Sequence, residues 1–496
     1  MNAQKYVLAI DQSTSGTKAL LFDAAGALVA RCDAVHRQIV NEHGWVEHDG
    51  QEIYQNTILT VKQLLAENNV PQGAVVAAGI SNQRETGIMW TRDGKPIYNA
   101  IVWQCARGAA LCESIEAKGH GTAVKDKTGL RLSPYFTAAK FGWLMDNVPE
   151  ARKAYENKQL LAGTMDAWLL YRLTGNHATD YSNASRTQLF NIHTLKWDEE
   201  LCQWFGVPYE ILPQVCPSDG YFGESTFEGA FEKPIPVRGV MGDSHAALFA
   251  QGCITAGHGK ATYGTGSSVM INTGSRAVCD NTLVTSLAWG IGGRVDYVLE
   301  GNINYTGAVI SWLKDSLGII SSAREAESLA RSVPDTGGVY LVPAYSGLGA
   351  PYWNSEARAM ICGMSRTTGK AHIVRAAEEC IAYQITDVVK AAQRAGVDLH
   401  ALRTDGGPTR DSFLMQFQTD LIRLPVDASR MEELSGAGVA FAAGLSAGLY
   451  TENTLNQSRA AVRYETQMPQ NQAQALYDGW QKAVALVLSE TEAGSK

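Results

Sequence analysis

The stretch Tyr6-Val-Leu-Ala-Ile-Asp-Gln-Ser-Thr-Ser-Gly-Thr-Lys-Ala-Leu-Leu-Phe-Asp23 decides how this chain is read. Two short apolar runs, Tyr6–Ile10 and Ala19–Phe22, each end on an aspartate, and a turn rich in Ser, Thr and Gly joins them. Apolar runs of that length bounded by turn residues predict a β-hairpin with a polar tip. A similar unit returns near the middle: Lys260–Tyr263, the turn Gly264-Thr-Gly-Ser-Ser268, then Val269–Ile271. Two such units about half a chain apart predict a duplicated architecture, one unit opening each domain. Elsewhere strands alternate with amphipathic helices. A helix over about Glu52–Asn68 precedes a strand over Ala74–Ile80, and a last helix from about Ala473 to Ser489 puts Leu476, Tyr477, Trp480, Val484 and Leu488 on one face. That alternation predicts α/β domains. The boundary is expected near Gly252–Gly257, giving domains over 1–251 and 252–496.

Bulk composition narrows the function classes. With 496 residues, 45% hydrophobic and 19% charged, the chain can bury two large cores and leave a cleft between them. A net charge of -8 with no dense Lys/Arg run argues against nucleic acid or an anionic membrane as partner. Nine scattered cysteines, none in a C-x-x-C pair, predict reduced thiols in a cytoplasmic protein. The polar start, Met1–Lys5, leads straight into a strand and gives no sign of a signal peptide. The most apolar late stretch, Ala437–Leu449, is broken by Gly438, Gly444, Ser446 and Gly448. It predicts a buried helix packed closely on a neighbour rather than membrane insertion.

Three turns carry phosphate-binding chemistry. In the first, Ser13, Thr14, Ser15 and Thr17 offer hydroxyls, Lys18 a cation, and Asp11 a carboxylate able to reach a metal-bound water. The second, Gly264–Ser267, offers backbone N–H groups from the other domain. The third, Arg403-Thr-Asp-Gly-Gly407, opens a helix over about Asp411–Leu421 and lets a base or ribose approach the backbone. Each alone is equally well an ordinary polar corner; together, at like junctions of both halves, they point to a nucleotide. No G-x-x-x-x-G-K-[ST] motif and no well-placed dinucleotide fingerprint is present.

The candidate general base is Asp243, between the strand Val237–Met241 and a helix over Ala246–Ala250. A helix cap would look the same. Gly242-x-Ser244-x-Ala246 also approaches a nucleophile elbow, which would make Ser244 a hydrolase nucleophile, but no oxyanion segment accompanies it. Arg84 and Glu85 supply paired polar groups for vicinal hydroxyls, and Trp103 and Tyr135 an apolar wall, as a small polyol requires. Read singly, Arg84-Glu85 is a surface pair and Trp103 a core residue.

Longer stretches resemble the FGGY carbohydrate kinases, the glycerol kinases among them most closely. They are Gly44–Asp49, Ser81–Thr86, Pro96–Cys105, Thr179–Arg186 and Gly347–Trp353, with Tyr135–Asn147 and Ala359–Glu379 similar to the family's two signatures. The resemblance implies two actin-like, ribonuclease-H-like domains flanking a catalytic cleft. It implies ATP and Mg2+ held by Asp11, Ser13, Thr14, Ser15 and Lys18, by Thr265, Gly266, Gly307 and Ser311, and by Gly406, Gly407 and Asp411. Asp243 would be the catalytic base, would share the metal with Asp11 through water, and would help Arg84, Glu85, Trp103, Tyr135, Ser244 and Ser268 hold the polyol. It also implies a homodimer. An actin-like ATPase that drives partner binding is the alternative of a different class; it would have no use for the polyol cluster.

Several positions depart from the family pattern. Ser244 stands where Gln is usual and Ser268 where Phe is usual, which predicts a wider pocket. The alternative substrate is then a four- or five-carbon polyol or ketose (erythritol, threitol, xylulose or ribulose), unless a residue such as His245 refills the space. Ser13 replaces a Gly, Ser311 and Asp411 replace amides, and Glu378 stands where an apolar residue is usual.

Overall fold

The opening hairpin forms as the antiparallel strands Tyr6–Gln12 and Gly16–Asp23. In the computed structural model, which describes residues 4–493, it is the centre of a six-stranded sheet. Leu28–Val35 extends it antiparallel on one side. On the other, Val75–Asn82 and Ile235–Gly242 join in parallel, and Glu224–Ser225 closes the edge antiparallel.

The second half repeats this order. Arg294–Ile303, Ser267–Gly274 and His258–Tyr263 pair antiparallel, Ala401–Asp405 and Val426–Ser429 join in parallel, and Ala461–Tyr464 closes the edge antiparallel. Val284–Ile291 adds a seventh strand beyond Arg294–Ile303. The duplication expected from the two hairpins is therefore a duplication of whole sheets.

Strand Tyr6–Gln12 is apolar without a break from Tyr6 to Ile10 because helices cover both of its faces. Leu8 and Ile10 pack with Ile53, Val61 and Trp168 on one side. Val7 and Ala9 pack on the other with Ala246, Phe249 and the helix Leu434–Ser446. That helix lies beyond the expected boundary in sequence, yet it covers the first sheet. Its small residues explain the placement. A Cβ on Gly438 would sit 1.9 Å from the Ala246 carbonyl oxygen, and one on Gly79 or Gly239 would sit 2.5 Å from that of Val439. The glycine-interrupted stretch read as a close-packed buried helix is that, and it ties the halves together.

Lys370–Arg394 is the central helix of the second domain. The last helix, Gln470–Ala493, seats Tyr477, Trp480 and Val484 in the same core. Tyr477 Oη and Trp480 Nε1 donate to the two oxygens of buried Asp387 at 2.7 and 2.8 Å. All nine cysteines are free thiols, and six are buried. Among the described residues no helix is long and apolar enough to cross a membrane.

Candidate active site

Three parallel strands of the first sheet end together, with Asn82 opposite both Gln12 and Gly242. The carboxyl ends of parallel strands are where open α/β sheets hold ligands. This register gathers Asp11, the Asn82–Glu85 turn and Asp243 at one edge of the cleft.

Asp11 is buried, and its Oδ1 has no hydrogen-bond partner. Burial pushes its carboxyl up to about 6, aided by Asp243 and opposed by Lys18. Lys18 Nζ lies 2.6 Å from Glu433 Oε2, and Arg31 Nη1 lies 2.6 Å from the other oxygen of Glu433. Glu433 sits at the start of the helix Leu434–Ser446 with a left-handed φ of 55°. Ser13 turns inward, its N–H and hydroxyl both donating to the Gly16 carbonyl at 2.9 and 3.0 Å. Thr14 Oγ1 accepts from Trp103 Nε1 at 3.0 Å, which joins the first loop to the Trp103–Tyr135 pair. Ser15 is exposed at the tip.

The second loop closes on the segment that follows strand Arg294–Ile303. The Thr265 carbonyl accepts from the N–H groups of Thr306 and Ala308 at 2.9 and 3.0 Å, and the Gly264 carbonyl from Gly307 N–H at 2.9 Å. Thr265, Gly266 and Gly307 are thus neighbours, and Ser311 is exposed at the end of the short helix Gly307–Ser311. The third loop abuts them. Gly406 has a φ of 101°, and a Cβ there would lie 1.9 Å from the Tyr263 carbonyl oxygen, so only glycine fits. A cavity of about 960 Å³ runs from Asp11 and Lys18 past Gly406 and Gly407 to Glu433.

Asp411 caps the helix Ser412–Ile422, accepting from Leu414 N–H at 3.0 Å. Burial, with Glu327 close by, pushes its carboxyl up to about 6. Glu378 is buried beside it, hydrogen-bonded to Asp411, and burial and Asp411 hold its own carboxyl well above the usual range. Two departures noted separately in the sequence thus form one carboxyl pair.

Arg84 and Glu85 are both buried, and each pairs elsewhere rather than with the other. Arg84 donates Nη1 and Nη2 to the two oxygens of Glu300, both at 3.0 Å, and its Nε lies 3.3 Å from Asp243 Oδ1. Arg186 bridges Glu85 at 2.5 Å and Glu300 at 2.6 Å. Burial disfavours the Glu300 anion, but Arg186 and Arg84 hold its carboxyl well below the usual range. Ser268 Oγ donates to Glu300 Oε1 at 3.0 Å. Glu85 has a left-handed φ of 60°, a strained backbone of the kind that clusters at functional sites. Trp103 and Tyr135 meet edge to face, 5.6 Å between ring centres. The turn carrying Tyr135 is fixed by the buried Lys140 ammonium, which donates to the carbonyls of Pro134, Tyr135 and Phe136 at 2.9, 2.5 and 3.2 Å.

Asp243 Oδ1 accepts from Ser244 N–H at 2.6 Å, and the carboxylate stays partly exposed to the cleft. His245 is fully buried; its Nε2 faces Ser286 Oγ at 3.4 Å, and burial together with Arg84 keeps the ring neutral. No hydrogen bond joins the Ser244 hydroxyl to a histidine among the described residues, so the hydrolase reading has no base.

Comparison with known proteins agrees with this geometry. The model of the FGGY carbohydrate kinase N-terminal domain matches residues 6–250, and that of the C-terminal domain matches residues 259–447. The chain belongs to the FGGY family of carbohydrate kinases. It is 47% identical to glycerol kinase 1 of Thermotoga maritima over 98% of this chain and all of that one. Against glycerol kinase of Symbiobacterium thermophilum it is 46% identical over 97% of each. The crystal structure of Plasmodium falciparum glycerol kinase with ADP superposes with a TM-score of 0.93 at 34% identity, covering 98% of both chains. A xylulose kinase from Lactobacillus acidophilus, at 21% identity and a TM-score of 0.87, shares the fold. The chain is thus an ATP-dependent, glycerol-kinase-like enzyme that phosphorylates a hydroxyl of a small polyol or sugar, with two actin-like domains.

This FGGY kinase also contains polar groups that motif reading passed over. Glu300 and Lys260 are buried charges within strands, and Lys260 Nζ donates to Thr262 Oγ1 at 2.7 Å while Thr262 Oγ1 donates to Asp405 Oδ1 at 2.8 Å. A charge within a strand was the local signal for both, blurred for Glu300 by Arg294 and Asp296 in the same strand. Arg186 closes a stretch already matched to the family, but nothing local tied it to Glu85.

Proposed function

We propose that this kinase transfers the terminal phosphoryl group of magnesium-ATP to a hydroxyl of glycerol, with Asp243 as general base. The observation that carries the reading is the contact of Arg84 with Asp243. Arg84 is held at its far end by Glu300 and presents Nε to the Asp243 carboxylate at 3.3 Å. A carboxylate so oriented, still partly exposed, can take the proton of an attacking hydroxyl. Glu85 and Arg84 would hold vicinal hydroxyls, while Trp103 and Tyr135 cover the carbons.

The nucleotide would lie along the three loops, with Lys18, Thr265, Gly266, Gly307, Gly406 and Gly407 around its phosphates and sugar. The cradle fits a metal-bound nucleotide because Asp11 Oδ1 is buried and unpartnered. Mg2+, when bound, would neutralise charge on the phosphates, with Asp11 and Asp243 reaching it through water. Domain closure would exclude water from the transferred group. From the family we carry over a cytoplasmic homodimer, divided near residue 251.

Glycerol is preferred over the longer polyols because relatives named glycerol kinase match nearly the full length at 45–47% identity. The small side chain of Ser268 also does not leave a bare wall: its hydroxyl is bound to Glu300. The test is ATP-dependent ADP release against glycerol, erythritol, threitol, xylulose and ribulose. Glycerol should give the highest kcat/KM; a tetritol or ketopentose exceeding it overturns the assignment.

A further inference from the structure

Behind the nucleotide cleft lies a second cavity, of about 280 Å³, between the strand ends of the second sheet and the segment after Thr451. Arg403, Arg459, Gln251, Asn456 and Asp427 line it. Two guanidiniums converge there. A Cβ on Gly252 would lie 2.6 Å from Nη1 of Arg403 and 2.6 Å from Nη1 of Arg459, so at most twice that distance separates these two nitrogens.

The two arginines differ in their commitments. Arg459 donates Nε to the Ala250 carbonyl at 2.8 Å and Nη2 to that of Phe249 at 3.3 Å, capping the helix that begins at Asp243. A structural role accounts for those bonds. Nothing similar accounts for Arg403. Among the described residues it has no ion pair and no hydrogen bond, and its Nε is buried without a partner. The acidic group on the wall, Asp427, faces Arg463 at 3.6 Å. The chain thus brings one committed and one uncommitted guanidinium together in a cavity, where like charges repel unless an anion lies between them. Arginine forks match phosphate oxygens, and the space suits a small phosphate monoester.

We infer that the Arg403–Arg459 cavity is a second anion site, for the phosphate group of inorganic phosphate or of a small phosphorylated metabolite. It is placed to act on the kinase. Gln251 on its wall donates to Asp405 Oδ1 at 3.0 Å, and Asp405 precedes the glycines of the third nucleotide loop. Ser429 and Met431 line both this cavity and the larger one. Arg459 meanwhile holds the far end of the helix that starts at Asp243. An anion here would therefore change the setting of the nucleotide loop and of the base.

Calorimetric titration of the whole protein tests this, with a non-hydrolysable ATP analogue, magnesium and glycerol at saturation so that the catalytic cleft is filled. Inorganic phosphate and glycerol 3-phosphate serve as separate probes. One equivalent of at least one probe should bind to the wild type, and about tenfold or more weaker to Arg403→Gln and Arg459→Gln. Binding of both probes with similar affinity assigns the site to free phosphate; binding of the ester alone assigns it to a phosphorylated metabolite. Arg403 gives up no bond in the apo fold, so Arg403→Gln decides the matter if Arg459→Gln is unstable. No binding of either probe to the wild type, or unchanged binding to Arg403→Gln, overturns the proposal.

Discussion

Arg84 of the first domain and Glu300 of the second form a buried two-pronged ion pair, Nη1 to Oε2 and Nη2 to Oε1, both at 3.0 Å. The pair joins the two halves of the chain, and Asp243 leans on the remaining nitrogen of the same guanidinium. The orientation of the Asp243 carboxylate, the proposed base, is thus set through Arg84 by a residue from the opposite domain.

Glu300→Gln should damage both stability and catalysis. The replacement leaves Arg84 and Arg186 in the interior without their shared anion, and breaking buried pairs of this kind costs about 3–5 kcal/mol. A lowered unfolding midpoint together with a raised KM for the polyol is expected. Ser268→Ala, which removes one hydroxyl contact to Glu300, should do much less. Thermal unfolding and polyol kinetics of both variants check this; equal effects would show that Glu300 is not the hub.

Lys18→Met should raise the KM for ATP by about tenfold or more, the scale of a lost charge-assisted contact to phosphate. KM for the polyol should change little, because Lys18 faces Glu433 and the cavity proposed to hold the nucleotide. A shift confined to the polyol would misplace the nucleotide.

Asp11 gives a pH signature. Its carboxyl is raised to about 6 in the fold, so it is charged above that pH and neutral below it. If the anion is needed to hold the metal's water, the KM for magnesium-ATP should rise as pH falls through about 6. Asp11→Asn should be weak at every pH and lack that limb. Bound magnesium would lower the midpoint, so the comparison is made on kcat/KM, which reports the free enzyme.

Asp411 and Glu378 give a stability signature of the opposite use. Both carboxyls are raised, Asp411 to about 6 from an unfolded value of 3.8. Their contribution is fully present below pH 3.8 and is lost as pH rises through the folded value. The groups facing the pair are Glu327, also acidic, and Arg331. Asp411→Asn should therefore stabilise the protein near pH 8 and make little difference near pH 4. Unfolding midpoints across that range decide it; a constant difference would mean that the pair is not protonated together.

The hairpins, the loops and the close-packed helix were legible in the sequence because their signals are local: an apolar run, a turn, a repeat of glycines. The polar cluster was only half legible. Arg84, Glu85, Trp103, Tyr135 and Asp243 stand in recognisable stretches, but Glu300 lies 216 residues from Arg84, and only folding brings them together. The same holds for Lys18 and Glu433, 415 residues apart. The helix Leu434–Ser446 shows the same limit at the level of domains: its small residues foretold close packing but not which sheet it would pack against. The pairing of Glu378 with Asp411 was hidden for a different reason, since each reads by itself as an isolated departure.

The most direct test of the account compares wild type and Asp243→Asn in glycerol-dependent ADP release, with ATP affinity measured on both. Removing a general base costs about 10²–10⁴-fold. The expected result is robust release by the wild type with glycerol, a fall in kcat of that size in the variant, and unchanged ATP affinity. A variant that keeps its turnover, or a wild type that releases no ADP with glycerol, would contradict the account.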